Sequence, residues 1–340
     1  MVVLRKKYFY CFVLFLLKAK AYSIGSFDTT LTVTDKSICF KYIPTFDNGF
    51  PITYIKGFVS FLSGFDLRLG ATINLGSVAP VNGNINLNHG TLQLTNDLYF
   101  GNFATINGPG AINLNGHFIQ LSNETTIANG DVHITGFGGF RGNGNILNLQ
   151  AKLIFDQLPD ERPTFTLNNI NIMYVDNLRT FSIRTRDFFH PIKMYFISTN
   201  ILMYTFPGNT PAPLVFGGAL DILGSSKILG FGLQMTCQYP ITIHQGAALT
   251  IDKGVIFNIG PNSSINFKDT SGSFVLNNAM LEFENTTTFK TGNFIVQGNC
   301  ILSSPSVGRP FCFDGSSQDP TIIINSGSKL TIADRTTVIY

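Results

Sequence analysis

Few residues of this chain combine the type and the spacing that chemistry needs. Glu282 and Glu284 stand two apart in AMLEFEN, so a strand places both carboxylates on one face, and paired carboxylates are the machinery of glycoside cleavage. Read structurally, the same pair is an exposed acidic patch. In RTFSIRTRDFF, strand alternation sets Phe181, Ile183 and Thr185 on one face and Ser182, Arg184 and Arg186 on the other. A basic row beside aromatics has the chemistry to hold an acidic sugar or a partner, although such a row is more often just the solvated face of a strand. The five histidines stand singly in the sequence, with no nucleophile and orienting acid beside them. No Cys or His spacing matches a zinc site. The Asn-x-Ser/Thr sites at Asn123, Asn262 and Asn285 are what a chain with 31 asparagines produces by composition. No catalytic, cofactor-binding or metal-ligating residue is therefore assigned, and no cofactor.

The elements that must position these residues are legible in the composition. Charged residues make up 13%, tryptophan is absent, and the 31 asparagines stand beside 33 glycines and 32 phenylalanines. This mix is too apolar and too aromatic for disorder. Asn and Gly tolerate the left-handed backbone of tight turns, and Ile, Leu, Val, Phe and Thr fit pleated surfaces. Many short strands joined by many tight turns is the expectation.

The amino terminus, MVVLRKKYFYCFVLFLLKAKAYS, carries a basic cluster, an apolar run from Tyr8 to Leu17 and Ala19-Lys20-Ala21 in a small-x-small pattern. It reads as a secretory signal peptide over 1–21. Ten apolar residues are too few to span a bilayer, which takes about 20. An uncleaved anchor is the competing reading. Removing 1–21 takes away five of the 23 basic residues, leaving 18 against 20 acids, so the net charge falls from +3 to −2. That balance offers no electrostatic case for nucleic acid. Cys39, Cys237, Cys300 and Cys312 remain. Cys300 and Cys312 flank SSPSVGRPF and are candidates for a bridge in an exported chain, with free buried thiols as the alternative.

A unit of Gly, one or two residues, apolar, x, apolar recurs: GNINL from 83, GTLQL from 90, GAALTI from 246, GSFVL from 272, GNFIV from 292 and GSKLTI from 327. Glycines at 90, 116 and 144, and at 246, 272 and 292, give a loose period of 20 to 28 residues. Periods in this range point to solenoids. Without any helical 3.6 pattern, the expectation is an all-β, right-handed parallel β-helix of about 11 to 14 rungs, with 22 to 28 residues and two or three strands each. FTLNNINIMYV (165–175) and FVLNNAMLEFE (274–284) then mark corners. Asn168, Asn169, Asn277 and Asn278 supply left-handed bends and bond along the axis, and the 109 residues between the copies span four or five whole rungs. A hairpin turn in an ordinary sandwich is the rival reading of Asn-Asn.

The Gly/Asn-rich short strands, the Leu-Asn-Asn corners and the signal peptide resemble the right-handed parallel β-helices of secreted and surface-exposed bacterial proteins, such as autotransporter passengers and polymorphic outer-membrane proteins. The resemblance covers residues 70–340 as a style of sequence. The short tags of the latter group, GGAL at 217–220 and Phe-x-x-Asn at Phe165, Phe206 and Phe274, occur at chance frequency. Such folds include polysaccharide lyases and hydrolases. Polygalacturonase-like enzymes would show Asn-Thr-Asp, Asp-Asp, Gly-His-Gly and Arg-x-Lys; here Asp-Asp is missing, Gly-His occurs only at Gly116-His117, and Arg-x-Lys lies only at Arg5.

Residues 22–70, with fewer Asn-Gly turns and more aromatics, are expected to cap one elongated solenoid domain over 71–340, whose section 155–215 is less regular and richer in aromatics and proline. GSKLTIADRTTVIY repeats the rung GAALTIDKGVIF and offers residues 327–340 as an edge that is expected either to continue into a longer repeat protein or to pair end to end with another copy or a partner. The functional expectation is an exported, non-catalytic structural or adhesin-like module at the cell surface or outside it, binding a host or cell-surface protein or glycan. The alternatives are a polysaccharide-acting β-helix enzyme and an outer-membrane barrel.

Overall fold

The structure, a computed structural model, describes the backbone of the strands Thr32–Val33, Ile38–Phe40, Tyr54–Arg68 and Thr72–Asn86. Side chains are described from residue 85 on, except at 86, 101–103, 174–180, 203–213, 306–308, 317–319 and a few single positions. The expected signal peptide, and every side chain of the expected cap, lie outside the described residues.

From Thr91–Leu94 on, nearly every strand pairs with the strand three places later in the chain, and every such pair is parallel, as in Thr125↔Leu147, Val132↔Leu153 and Gly139↔Thr166. A chain that returns to the same sheet after three strands is a three-faced coil, and the protein is a parallel β-solenoid of about nine turns. An outer-membrane barrel would be antiparallel throughout. The first face runs from Ala104–Asn107 to Thr321–Ile324, the second from Thr91–Leu94 to Lys329–Ile332, and the third from Leu98–Phe100 to Thr337–Ile339. Nine turns at the usual strand spacing stack to roughly 40 to 45 Å. They occupy the 217 residues between Ala104 and Thr321, about 24 per turn, within the expected 22 to 28. The larger expected count of rungs came from spreading the same period over residues ahead of Ala104, where the strands Tyr54–Arg68 and Thr72–Asn86 have 15 residues each.

Burial alternates along the strands, as in Thr91–Leu94, Phe118–Leu121 and Asn293–Gln297, because successive side chains point in and out of the coil. The interior is one continuous apolar column from Ile85 to Phe313. Large rings fill it where turns meet: Phe155 lies 4.9 Å from Phe165 and 5.6 Å from Phe181, and Phe274 stacks on Phe294 at 6.2 Å with the rings 12° apart.

Asparagines occupy the corners, and Asn115, Asn129, Asn143, Asn169 and Asn278 have left-handed φ between 47° and 57°. Asn bonds along the axis as expected: Asn129 Nδ2 donates to Asn107 Oδ1 at 2.7 Å, and Asn200 Nδ2 to Asn171 Oδ1 at 2.8 Å. Two details differ from the expectation. In each Asn-Asn pair the first residue ends a strand, and only Asn169 and Asn278 are left-handed. The two copies also sit at different corners. Asn169 joins the third face to the first and Asn278 joins the first to the second, so the interval is four turns and a third. The three corners ask the same thing of the backbone, and the same phrase serves two of them.

Asn278 also accepts the Asn299 N–H of the next turn at 3.0 Å. Replacing it with valine forces a β-branched residue into left-handed φ and removes that acceptor, for a cost of about 2 kcal/mol. Asn277→Val, at a strand end, is expected to cost less than half as much. Denaturant midpoints of the two variants check the order.

Candidate functional site

The basic row lies on the second face, where Phe181–Arg184 buries Phe181 and Ile183 and turns Ser182 and Arg184 outward, as alternation predicts. Thr185 follows on the inner side, where its hydroxyl donates to the Gly217 carbonyl and accepts the Ile192 N–H at 3.1 Å. Arg184 and Arg186 are not simply solvated. Asp156, only 4% exposed, lies one turn earlier, with Arg184 Nη1 at 3.8 Å, Arg186 Nε at 3.7 Å and, from the turn before, His133 Nδ1 at 3.0 Å. One carboxylate thus ties three turns together.

Beyond Asp156 the corner between the second and third faces widens into two loops, 157–163 and 185–192, and Gln157 stitches them. Its Oε1 accepts the N–H groups of Arg186 (2.9 Å) and Asp187 (3.1 Å), and its Nε2 donates to the carbonyls of Glu161 (2.8 Å) and His190 (3.0 Å). Asp187 Oδ2 lies 2.7 Å from His190 Nδ1, and this bond, with the Phe189 N–H, holds the Asp187 carboxyl below the usual range. The loop carries Phe189, 87% exposed, next to His190 in the sequence.

A second clip lies further along the third face. Asp221, also buried, has Lys193 Nζ at 3.2 Å from the preceding turn and His244 Nε2 at 2.6 Å from the following one. Burial, the largest single influence, depresses the Lys193 ammonium, but Asp221 and Tyr195 together outweigh it and the pKa stands above its ordinary value. Asp252 takes Lys227 Nζ at 3.2 Å in the same manner. Histidines that look solitary in the sequence therefore have acidic partners, and His133–Asp156 and Asp221–His244 are each 23 residues apart. The missed signal was an acid and a base separated by one turn. None of these pairs is hydrogen-bonded to a serine, threonine or cysteine that would serve as nucleophile among the described residues, so the arrangement couples turns and does not assemble a triad.

The carboxylate pair is on the second face, Glu282 in Met280–Phe283 and Glu284 just after it. Both come from one face of one strand and so do not confront each other across a bound sugar in the manner of a glycosidase. Asn258 stands directly beside Glu282 in the register, and its Nδ2 donates to Glu284 Oε1 at 2.7 Å. Burial, and then the neighbouring Glu284 charge, raise the Glu282 carboxyl above its ordinary 4.5. An acid with a raised folded pKa contributes stability that is complete below the unfolded value near 4.5 and is lost as pH rises through the folded value. Glu282→Gln is accordingly expected to be more stable than the native chain at pH 7, with the advantage vanishing below about pH 4. Thermal melts of both across that range check the sign.

The cysteines at 237, 300 and 312 are free. Cys300 faces the core and its Sγ donates to the Gln297 carbonyl at 3.2 Å, whereas Cys312, on the next face, alternates outward between buried Phe311 and Phe313. Opposite sides of the coil wall keep these two from bridging, so of the two readings of the sequence the free thiols hold and the candidate bridge does not. Burial pushes the Cys237 thiol far up, so it is an inert core residue. The Cys39 side chain lies outside the described residues. No helix among the described residues is long and apolar enough to cross a membrane. Compared with protein-family models, curated proteins and solved structures, the chain matches none.

Proposed function

We propose that the protein is an exported, non-catalytic β-solenoid that works as a structural and adhesin-like binding module at the cell surface or outside the cell, its partner a protein or glycan bearing acidic groups. The observation that carries this reading is the corner at Arg184, Arg186, Phe189 and His190. Two guanidiniums, each held from one side by Asp156, are about half exposed, and the loop that follows them carries the exposed ring of Phe189. Guanidinium forks match carboxylate and sulfate groups, and an exposed ring supplies apolar contact area. The test is binding of the secreted chain to an array of neutral and acidic glycans and to cell-surface extracts. Acid-selective binding that falls at least tenfold in Arg184→Ala/Arg186→Ala supports the reading. Equal binding by that variant, or cleavage of a glycan, overturns it in favour of another surface or of the enzyme alternative.

Self-association through residues 327–340 belongs to the same proposal. It is supported by the exposure of Ile324, Ile332, Ile339 and Tyr340 on the strands furthest along the stack. Molar mass across a concentration series is expected to rise, and a monomer at every concentration sinks this part.

A further inference from the structure

His133 lies on the second face between Ala111 of one neighbouring strand and Ile154 of the other, so its nearest partners in the register carry no charge. Its ring reaches across to Asp156 instead, with Nδ1 3.0 Å from Oδ2, while Arg184 and Arg186 approach the same carboxylate at 3.8 and 3.7 Å. Of these three basic groups only the imidazole is within hydrogen-bond distance, and Asp156 Oδ1 is buried with no hydrogen-bond partner. In the adjoining loop His190 Nδ1 pairs with Asp187 at 2.7 Å, and Gln157 bonds the backbone of both Arg186 and His190, which sets that pair beside the arginines' strand. Arg184 and Arg186 against Asp156 and Asp187 sum to zero while both imidazoles are neutral, and to +2 when both are protonated. Among the described residues, the other charged groups on the packed elements are Asp131 and Lys152, which precede the strands of His133 and Asp156, and Glu161 and Arg162 of the loop 157–163; they are two acids and two bases. Burial, and then the Asp187 charge, raise the Tyr239 phenol, so it stays neutral. Of the side-chain types gathered here, imidazole is the one that ordinarily gains its charge between pH 5 and 8.

We propose that His133, supported by His190, puts the Arg184–Arg186 corner under pH control, so that it holds sulfate-bearing ligands weakly near neutral pH and tightly in mild acid. This inference rests on the reading of the corner as an anion-binding surface and adds its regulation. Nδ1–H of His133 donates to Asp156 in the neutral ring and in the imidazolium alike, so the extra proton goes to Nε2 and the bond between the turns stays in place. What changes is the charge. Beside a neutral imidazole, the Asp156 carboxylate draws on both guanidiniums and repels an arriving anion. Beside an imidazolium it has an ion-pair partner at hydrogen-bond distance, and the pull of the guanidiniums is left for the ligand. The His133 side chain is 33% exposed, so the proton reaches it from solvent. His190 acts in the same direction. The Asp187 carboxyl is held below its usual range, first by the His190 bond and then by the Phe189 N–H, so it stays ionised and a proton on His190 adds in full to the net charge. A sulfate ester keeps its own charge throughout this range, which leaves the protein as the only partner that titrates.

The experiment is calorimetric titration of the full chain with a fully sulfated heparin oligosaccharide between about pH 7.5 and pH 5.5 at constant ionic strength. The readout is the ratio of the affinities at the two ends of that range. Native protein is expected to bind about tenfold tighter at the acid end, a few-fold for each charge gained at partly screened distances. His133→Gln, which keeps an amide donor for Asp156, should lower that ratio to about threefold, and His133→Gln/His190→Gln should bring it to about one. Circular dichroism verifies that both variants fold. His89, His117 and His244 remain in the double variant, so a general rise in positive charge would leave its ratio high. Histidines with a merely structural role would weaken binding equally at every pH and leave the ratio unchanged. Binding that depends on Arg184 and Arg186 but is equal at both ends of the range, or that keeps its full acid gain in the double variant, overturns the pH control and leaves the anion surface standing. Binding that is unchanged in Arg184→Ala/Arg186→Ala, or absent at every pH, overturns both.

Discussion

Phe289→Ala is expected to cost about 3–5 kcal/mol, the range for truncating a fully buried ring. Phe289 ends a third-face strand at 0% exposure, and its ring lies 5.2 Å from Phe267, 5.1 Å from Phe311, 5.7 Å from Phe313 and 5.6 Å from Phe294. Phe267 belongs to the turn before and Phe311 and Phe313 to the turn after, so one ring fastens three successive turns. Alanine leaves a cavity that backbone ladders on three sides keep from collapsing. In a solenoid, stability is close to a sum of turn and interface terms, so the loss should be local. Hydrogen exchange is expected to rise over 265–340 while amides near 104–156 stay protected. Phe289→Leu, which keeps most of the volume, should cost less than half as much. Exchange that is unchanged, or that rises evenly along the whole coil, would show that the ring does not fasten these turns.

Much of the solenoid was legible because its inward and outward residues alternate in short runs broken by Gly and Asn. FIQL at Phe118–Leu121 and NFIVQ at Asn293–Gln297 announce their faces directly. The length of the turn was harder to read, for a physical reason. Each face is a short strand ending in a tight corner, so the sequence repeats at the level of one strand and not of one turn. The glycines at 90, 116 and 144 precede strands of the second, third and first faces in succession, whereas those at 246, 272 and 292 all precede first-face strands. Both series looked alike. GAALTIDKGVIF and GSKLTIADRTTVIY likewise match although one starts on the first face and the other on the second. Turn length itself varies, from 20 residues between Ser273 and Asn293 to 33 between Ile183 and Phe216, because corners absorb loops without disturbing the register.

The candidate site was less legible. Arg184 and Arg186 stood out, but Asp156 did not, since LIFD is buried at all four positions and reads as plain core. Its partners lie one turn away on either side, and their distance in sequence depends on loops such as 157–163. A like limit applies to Asn258: nothing in GVIFNIG marks it as the neighbour of Glu282 until the register is known.

Gly139→Val is the second substitution with a large expected effect, about 3 kcal/mol or more. GFGGF at 136–140 suggests a loose loop, yet Gly138–Arg141 is a strand, paired on one side with Phe118–Leu121 and on the other with Thr164–Asn168. A Cβ on Gly139 would clash with the carbonyl oxygen of Thr166 and would meet that residue's carbonyl carbon at 2.7 Å and its nitrogen at 2.9 Å. Backbone atoms cannot rotate away as a side-chain tip can. The added group must push the two strands apart, which breaks the register Gly138↔Phe165 to Arg141↔Asn168 and pulls Phe140 and Phe165 away from Phe155, which packs against both rings. Gly139→Ala meets the same atoms and should lose a large share of that stability, so the series Gly, Ala, Val falls steeply at its first step. A β-propensity argument predicts the reverse order, because valine fits pleated strands better than glycine does. Denaturant midpoints of the three chains decide between them, and a valine variant as stable as the native chain would show that the third face does not need its strands this close.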